Sequence, residues 1–172
     1  MYDLMQQYEE VKRGIAPYIE NLKGIENYFE DLGRKYDAGV TGSLKDLLDA
    51  ELMRFMFDII YSDEKISEAE VILIRMLFEH NDKVKNTSPE ELEYVIKNAT
   101  KGASVPKILE AAVKLDKMYA SRGVEKVNAN LVVSGFQTFG KLVVDISDDS
   151  YSAKRVYDDE LAVINNYIRM YG

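Results

Sequence analysis

The stretch that decides the fold reads Ser62-Asp63-Glu64-Lys65-Ile66-Ser67-Glu68-Ala69-Glu70, an acidic segment between two apolar patterns. Apolar residues recur at helical spacing on both sides of it. They are Leu52, Met53, Met56, Phe57 and Ile60 before the segment, and Val71, Ile74, Leu77 and Phe78 after it. The sequence therefore predicts a helix, an acidic loop and a second helix.

A second copy of this arrangement surrounds Asp149 and Glu160 near the C-terminus. Apolar residues precede Asp149 and follow Glu160 at distances that match the first copy. They are Phe139, Leu142, Val143, Ile146, Leu161, Ile164, Tyr167 and Ile168. We predict an acidic loop from Ser147 to Tyr157 and a last helix that runs to Met170. We interpret the two copies as a duplicated helix–acidic loop–helix unit.

The composition limits the class of protein. A chain of 172 residues suits one domain with its own core. Its 30 acidic and 22 basic residues give a net charge of −8, and no basic stripe is present. Binding to nucleic acid through phosphate neutralisation is therefore not expected.

The same sequence bears on redox chemistry and on membranes. It contains no cysteine, which excludes disulfides, thiolate zinc sites and cysteine nucleophiles. No run approaches the ~20 apolar residues of a membrane span, so direct membrane insertion is not expected. The start, Met1-Tyr2-Asp3-Leu4-Met5, does not resemble a signal peptide. We expect a cytoplasmic protein.

Residues 1–36 form an amphipathic helical segment with a heptad pattern. Its apolar positions are Leu4, Tyr8, Val11, Ile15, Tyr18, Leu22, Ile25, Phe29, Leu32 and Tyr36. Gly14 and Pro17 predict a kink or break. We expect the segment to pack on the core of its own chain. The alternative is a surface for a homodimer or a protein partner.

Residues 43–172 read as one helical domain after the linker at 37–42. Ser43, Ser67 with Glu70, and Ser88 followed by Pro89 are start signals of helices. We predict a polar loop at 81–87. Residues 124–146 contain β-branched and aromatic residues, but the duplication favours a helix there. The prediction is an all-α, single helical bundle of seven or eight helices.

The acidic loops allow three interpretations. In the first, Ser67 and Glu70 form a capping box, and the other acids are solvated charges at a helix N-terminus. In the second, the two loops share a divalent cation. Its candidate ligands are Asp63, Glu64, Glu70, Asp148, Asp149 and Glu160. Because all six offer oxygen, the ion would be Mg²⁺, Ca²⁺ or Mn²⁺.

Two kinds of site do not fit the loops or the chain. A calcium-sensor EF-hand is not expected, because Ile59 and Tyr61 stand at two of its ligand positions. Catalysis is the third interpretation, and His80 is the only histidine that it has. No Glu-x-x-His pair, nucleophile elbow or P-loop accompanies it. We assign His80 to the C-terminal end of a helix and expect no enzymatic activity.

The residues Asp63, Ile66 and Glu70, with Asp149 and Glu160 in the second copy, resemble the signature of the tellurite-resistance TerB-like family. The resemblance covers roughly residues 43–172. It implies an all-α fold with an acidic surface that binds cations. It also implies a role in stress and in metal or metalloid resistance, through partner proteins at the membrane.

We therefore expect a non-enzymatic TerB-like module whose acidic loops bind a divalent cation or a basic partner. The alternative is a scaffold protein that dimerises or binds partners through its N-terminal heptads. The two interpretations make different use of the chain, since one depends on the loops and the other on residues 1–36.

Overall fold

The computed structural model describes residues 4–99, 103–118, 127–147 and 149–172, with side chains for all of these except 4–8 and 11. These residues form eight α-helices and one short 3-10 turn, and no strand occurs among them. The predicted all-α class and number of helices are confirmed. The elements are α1 (Leu4–Lys35), α2 (Leu44–Ile60), the 3-10 turn (Tyr61–Asp63), α3 (Glu68–Leu77), α4 (Asp82–Lys85), α5 (Pro89–Ala99), α6 (Lys107–Met118), α7 (Asn128–Ile146) and α8 (Ser150–Tyr171).

Helix α2 lies at the centre of the bundle. It contacts α1, α5, α6, α7 and α8. A helix that is surrounded in this way buries residues on several of its faces, and ten residues of α2 are buried. Two of these ten are acidic, Asp49 and Asp58. The position of α2 therefore buries two carboxyl groups that an outer helix would leave in water.

Helix α1 packs along α2, α3 and α7. The heptad positions Ile15, Leu22 and Phe29 are each less than 5% exposed. The helix continues through Pro17, so the break predicted there does not occur. Packing on both sides of the proline favours the continuous helix, because Ile15 is buried and the rings of Tyr18 and Phe139 meet edge to face at a centroid distance of 6.3 Å.

Two loop predictions are wrong. Residues 82–85 form the one-turn helix α4, because Asn81 accepts a hydrogen bond from the N–H of Lys83 and Val84 is buried. Helix α8 begins at Ser150, so most of the predicted loop from Ser147 to Tyr157 is helical. The physical reason is a cap, since the Asp149 carboxylate accepts the backbone N–H and the hydroxyl of Ser152.

Helix starts in this bundle are capped in two ways. Ser43 and Ser88 accept the N–H three residues further on, as predicted. The starts of α6 and α7 are instead capped by carboxylates that belong to other helices. The Glu51 carboxylate accepts the N–H groups of Lys107 and Ile108, at the start of α6, both at 2.7 Å. Distant carboxylates therefore do the work that a local cap does elsewhere.

None of the described helices is both long enough and apolar enough to cross a membrane.

Gly140 lets α7 approach α2 and α8 closely. A Cβ atom built on it would lie 2.5 Å from Cε1 of Phe55 and 2.7 Å from Cδ2 of Tyr157. The Phe55 ring is 2% exposed and cannot easily move. We expect Gly140→Ala to lower the free energy of unfolding by about 1–3 kcal/mol, as overpacked cores do. Urea denaturation measures this.

Gly24→Ala is the matched control. Gly24 is also inside a helix, but no described atom lies within 4 Å of a Cβ placed there. Alanine should raise the free energy of unfolding at this site by up to about 1 kcal/mol through helix propensity. If alanine changed the free energy of unfolding in the same direction at both sites, close contact at Gly140 would not be what limits the packing there.

Candidate functional site

The buried acids of α2 each stand four residues after a basic residue. The Nζ of Lys45 lies 3.5 Å from Oδ2 of Asp49, and NH1 of Arg54 lies 3.8 Å from Oδ2 of Asp58. Residues at this spacing share one face of a helix. Each aspartate also meets a buried glutamate from another helix, Glu26 of α1 or Glu160 of α8. The bundle therefore contains two buried carboxyl pairs.

We call the first of these the histidine cluster, formed by Glu26, Asp49 and His80 with Lys45 beside them. The Nε2 of His80 lies 2.6 and 2.9 Å from the two carboxylate oxygens of Glu26. Glu26 and Asp49 are each 1% exposed. The Asp49 carboxyl meets Glu26 and Lys45, and no other described residue donates a hydrogen bond to its oxygens. One ligand atom from each acid and from the imidazole lie within 4.8 Å of one another.

The charges of the histidine cluster are tuned by burial. Burial and the adjacent Glu26 raise the pKa of Asp49 to about 8, although Lys45 acts to lower it. Burial likewise raises the pKa of Glu26 and lowers the pKa of His80. At neutral pH, Asp49 therefore holds a proton that it can donate to Glu26, and the imidazole is neutral. A neutral imidazole is the form that binds a metal ion.

We call the second pair the Asp58 cluster, formed by Asp58, Glu160 and Arg54. Burial is the main cause that raises the pKa of Glu160 to about 10, and the Asp58 carboxyl adds to it. The carboxyl groups of Asp58 and Glu160 meet each other. Apart from this contact and the Arg54 guanidinium, no described residue donates a hydrogen bond to the buried oxygens of Asp58 or to Oε2 of Glu160. Asp58 and Glu160 line a cavity of about 390 Å³ between α2, the 3-10 turn and α8.

The predicted residues of the first loop are mostly used within the loop. Asp63 accepts the N–H of Lys65 at 3.0 Å. Glu70 accepts the N–H of Ser67 while Ser67 accepts the N–H of Glu70, so the predicted capping box is present. Glu64 is exposed and has a φ of 60°, in the left-handed region. Of these acids, Glu64 alone lines the cavity at the Asp58 cluster.

The predicted ligands of the second loop likewise have different positions and roles. Asp149 caps α8, and its pKa is lowered mainly by the hydrogen bonds from Ser152. Asp148 lies outside the described residues. Glu160 lies inside α8 and is buried. The structure thus brings Glu64 and Glu160 to one cavity, and the assignment of the six acids to a shared metal site stays a prediction.

The sequence carried a signal for the acids that were missed. On α1, Glu26 lies four residues after the buried Leu22 and three before the buried Phe29. It therefore occupies a position on the apolar stripe, where a charged residue needs a buried partner. The sequence does not identify that partner, because His80 reaches Glu26 only through the packing of α1 near the end of α3.

Comparisons of the chain with models of known families, with curated proteins and with solved structures find no match. The resemblance to the TerB-like family accordingly stays a prediction from the residues quoted above.

Proposed function

We propose that this chain is a non-enzymatic binding module that holds a divalent transition-metal ion in the histidine cluster. The observation that carries the proposal is the convergence of Glu26, Asp49 and His80 from three segments, with ligand atoms within 4.8 Å of one another. One imidazole with two carboxylates suits Zn²⁺, Mn²⁺, Fe²⁺ or Co²⁺. The proposal differs from the sequence expectation in its ligands and in its ions, of which only Mn²⁺ belongs to both sets.

The environment of the cluster supports this choice of ion. The two acids are buried, whereas the His80 side chain is 28% exposed, so an ion can enter beside the imidazole. Three protein ligands leave further coordination positions to water or to a partner. No nucleophile elbow, P-loop or dinucleotide motif occurs in the sequence, which favours binding over catalysis. A role in metal stress, through a partner protein, rests on the TerB-like resemblance alone.

The Lys45 ammonium sets the strength of metal binding. Its Nζ lies 3.5 Å from Oδ2 of Asp49 and 4.0 Å from Oε2 of Glu26, where it neutralises the same oxygens that would bind the ion. A metal ion must compete with this charge and with the proton on Asp49. Affinity should therefore rise with pH as that proton leaves.

Calorimetric titration with Zn²⁺, Mn²⁺ and Co²⁺ at pH 7.5 tests the proposal. We expect Asp49→Asn and His80→Ala each to weaken binding by about tenfold or more, since each removes a ligand. Lys45→Gln should strengthen binding by a similar factor, because a competing positive charge is lost. At 100 times the dissociation constant, the ion should stabilise the wild-type protein by about 2.7 kcal/mol.

Glu79→Gln is the matched control, since it removes one exposed acidic charge beside His80 without removing a ligand. Its affinity should stay close to that of the wild-type protein. The proposal fails if no ion binds at millimolar concentration. It also fails if Asp49→Asn and Glu79→Gln weaken binding equally, because the ion would then respond to net charge alone.

A further inference from the structure

The histidine cluster reaches solvent through two of its four side chains. Those of His80 and Lys45 are 28% and 29% exposed. Those of Glu26 and Asp49 are only 2% and 1% exposed. The imidazole Nε2 lies 2.6 Å from Oε1 of Glu26, and the ammonium Nζ lies 4.0 Å from Oε2 of the same carboxylate. A group that reaches the cluster from solvent therefore arrives beside both the imidazole and the ammonium.

We propose that the metal ion in this cluster also binds a carboxylate from outside the chain, and that the Lys45 ammonium holds the second oxygen of that carboxylate. This inference rests on the metal ion proposed above and names its further ligand. Three protein ligands leave coordination positions for it. The carboxylate belongs either to a small organic acid or to an Asp or Glu side chain of a partner protein.

The buried charges of the occupied cluster favour one anion. Glu26 and Asp49 bind an ion as carboxylates, so a divalent ion cancels their two negative charges, and the imidazole binds as a neutral group. The Lys45 ammonium, 3.5 Å from Oδ2 of Asp49, then has no buried negative charge left to compensate it. It also stands close to a doubly charged cation, which is unfavourable in a partly buried site. One monovalent anion between the two cations brings the sum of charges to zero.

The exposed charges around the cluster do not replace this anion. Asp46 lies 3.9 Å from Nζ of Lys45, but its side chain is 77% exposed and is screened by water and salt. Lys23 and Glu79 are both exposed. They act on His80 in opposite directions, since Lys23 lowers its pKa and Glu79 raises it. The inner charges therefore decide which ligand the ion accepts from solvent.

A carboxylate fits the two cations better than a halide does. It has two oxygens, one for the metal ion and one for the ammonium. Carboxylate oxygens are ordinary ligands of the proposed ions. The ammonium has three N–H donors and no acceptor, and its hydrogen bonds to a carboxylate are about twice as strong as neutral ones. Lys45 thus opposes the bare metal ion but favours the ion that carries a carboxylate.

Titration of the intact chain with Co²⁺, in sodium acetate and in sodium chloride of the same ionic strength, tests the inference. We expect acetate to raise the affinity for Co²⁺ by about tenfold, a usual size for coupling between two ligands. By reciprocity, Co²⁺ should raise the affinity for acetate by the same factor. The visible absorption spectrum of bound Co²⁺ should also change in acetate, because a ligand enters its coordination sphere.

Variants of Lys45 give the sharpest comparison. Lys45→Gln should bind Co²⁺ more tightly than the wild-type protein in chloride. Acetate should raise its affinity by less than about twofold, so that this advantage is lost in acetate. Lys45→Arg keeps a cation with N–H donors and should keep most of the acetate effect. Lys12→Gln is the control, since Lys12 is exposed on α1 and lies roughly 20 Å along the helix axis from Glu26.

Each failure has its own meaning. Absence of Co²⁺ binding in both salts overturns the proposed function and this inference with it. Co²⁺ that binds equally in acetate and chloride overturns the inference alone. An equal acetate effect in Lys45→Gln and in the wild-type protein overturns it too, as does a rise in affinity without a change in the spectrum of Co²⁺.

A capped Ala-Glu-Ala peptide, which carries one carboxylate as acetate does, separates the two sources. If the peptide raises the affinity for Co²⁺ at least as much as acetate, the inference is supported and the carboxylate is that of a partner protein. If acetate alone acts, the inference is supported and the carboxylate is that of a small organic acid.

Discussion

Between about pH 6.5 and pH 8, the free energy of unfolding is expected to fall by about 3–4 kcal/mol as the pH rises. Asp49 and Glu160 cause this fall, because their pKa values in the folded chain are about 8 and about 10. Unfolded carboxyl groups have already lost their protons in this range. The folded state therefore binds more protons than the unfolded state, and stability decreases as pH rises until each folded pKa is passed.

Other groups act in different ranges. The pKa of His80 is lowered by burial, so its contribution to stability increases as the pH rises toward its ordinary value of 6.5, and it levels off above that. The pKa of Asp149 is lowered by hydrogen bonds, so its contribution is lost only in acid, below its ordinary value of 3.8. The slope above about pH 6.5 therefore reports mainly Asp49 and Glu160, and any contribution from Glu26 and Glu51 has the same sign, because burial raises their pKa values too.

Two variants divide the slope between the clusters. Each buried acid should contribute about 1.4 kcal/mol per pH unit. Glu160→Gln should remove the contribution of the Asp58 cluster, and Asp49→Asn should remove that of the histidine cluster. Asp158 is exposed, so Asp158→Asn should leave the slope unchanged. Urea denaturation at constant ionic strength measures all four proteins. A flat wild-type profile, or a slope that neither amide variant changes, would contradict the claim that Asp49 and Glu160 cause the pH dependence.

This pH dependence bears on the proposed metal ion. Asp49 holds a proton at neutral pH, and this proton occupies a place that a cation can take. Loss of the proton without a cation leaves a buried negative charge beside another one, which is unfavourable. A bound cation removes that penalty. The metal ion should therefore stabilise the folded chain more strongly at pH 8 than at pH 6.5.

Much of the fold was predictable, because its signals are local. Helical periodicity is set by residues three or four apart, and caps such as Ser43 act on the N–H three residues later. The α-helical class and the capping box at Ser67 therefore followed from short stretches. The start of α8 was missed for a related reason. Residues 147–157 were predicted as a loop, whereas the cap at Asp149 begins the helix at Ser150.

The candidate sites were less predictable, because their partners meet only after the helices pack. Glu160 stands seven residues after the buried Ala153 and four before the buried Ile164, on an apolar stripe of α8. That position was a usable signal of a buried acid. Nothing in the order of residues says that Asp58 is its partner, since Asp58 belongs to α2, the central helix. The loops stand out in the sequence because they are acidic. The acids whose pKa values are strongly raised are instead those that the packed helices bury.

Asp116→Ala is expected to lower the free energy of unfolding by about 3–5 kcal/mol, since it leaves several buried donors without an acceptor. Oδ1 of Asp116 accepts both the backbone N–H and the side-chain amide of Asn128, and Oδ2 accepts the N–H of Ala129 at 3.0 Å. This carboxylate of α6 therefore caps α7 from a distance. Asp149→Ala, which removes a local cap from α8 at a less buried site, should lower the free energy of unfolding by less. Urea denaturation compares the two, and equal losses would show that the cap supplied by α6 is no stronger than a local one.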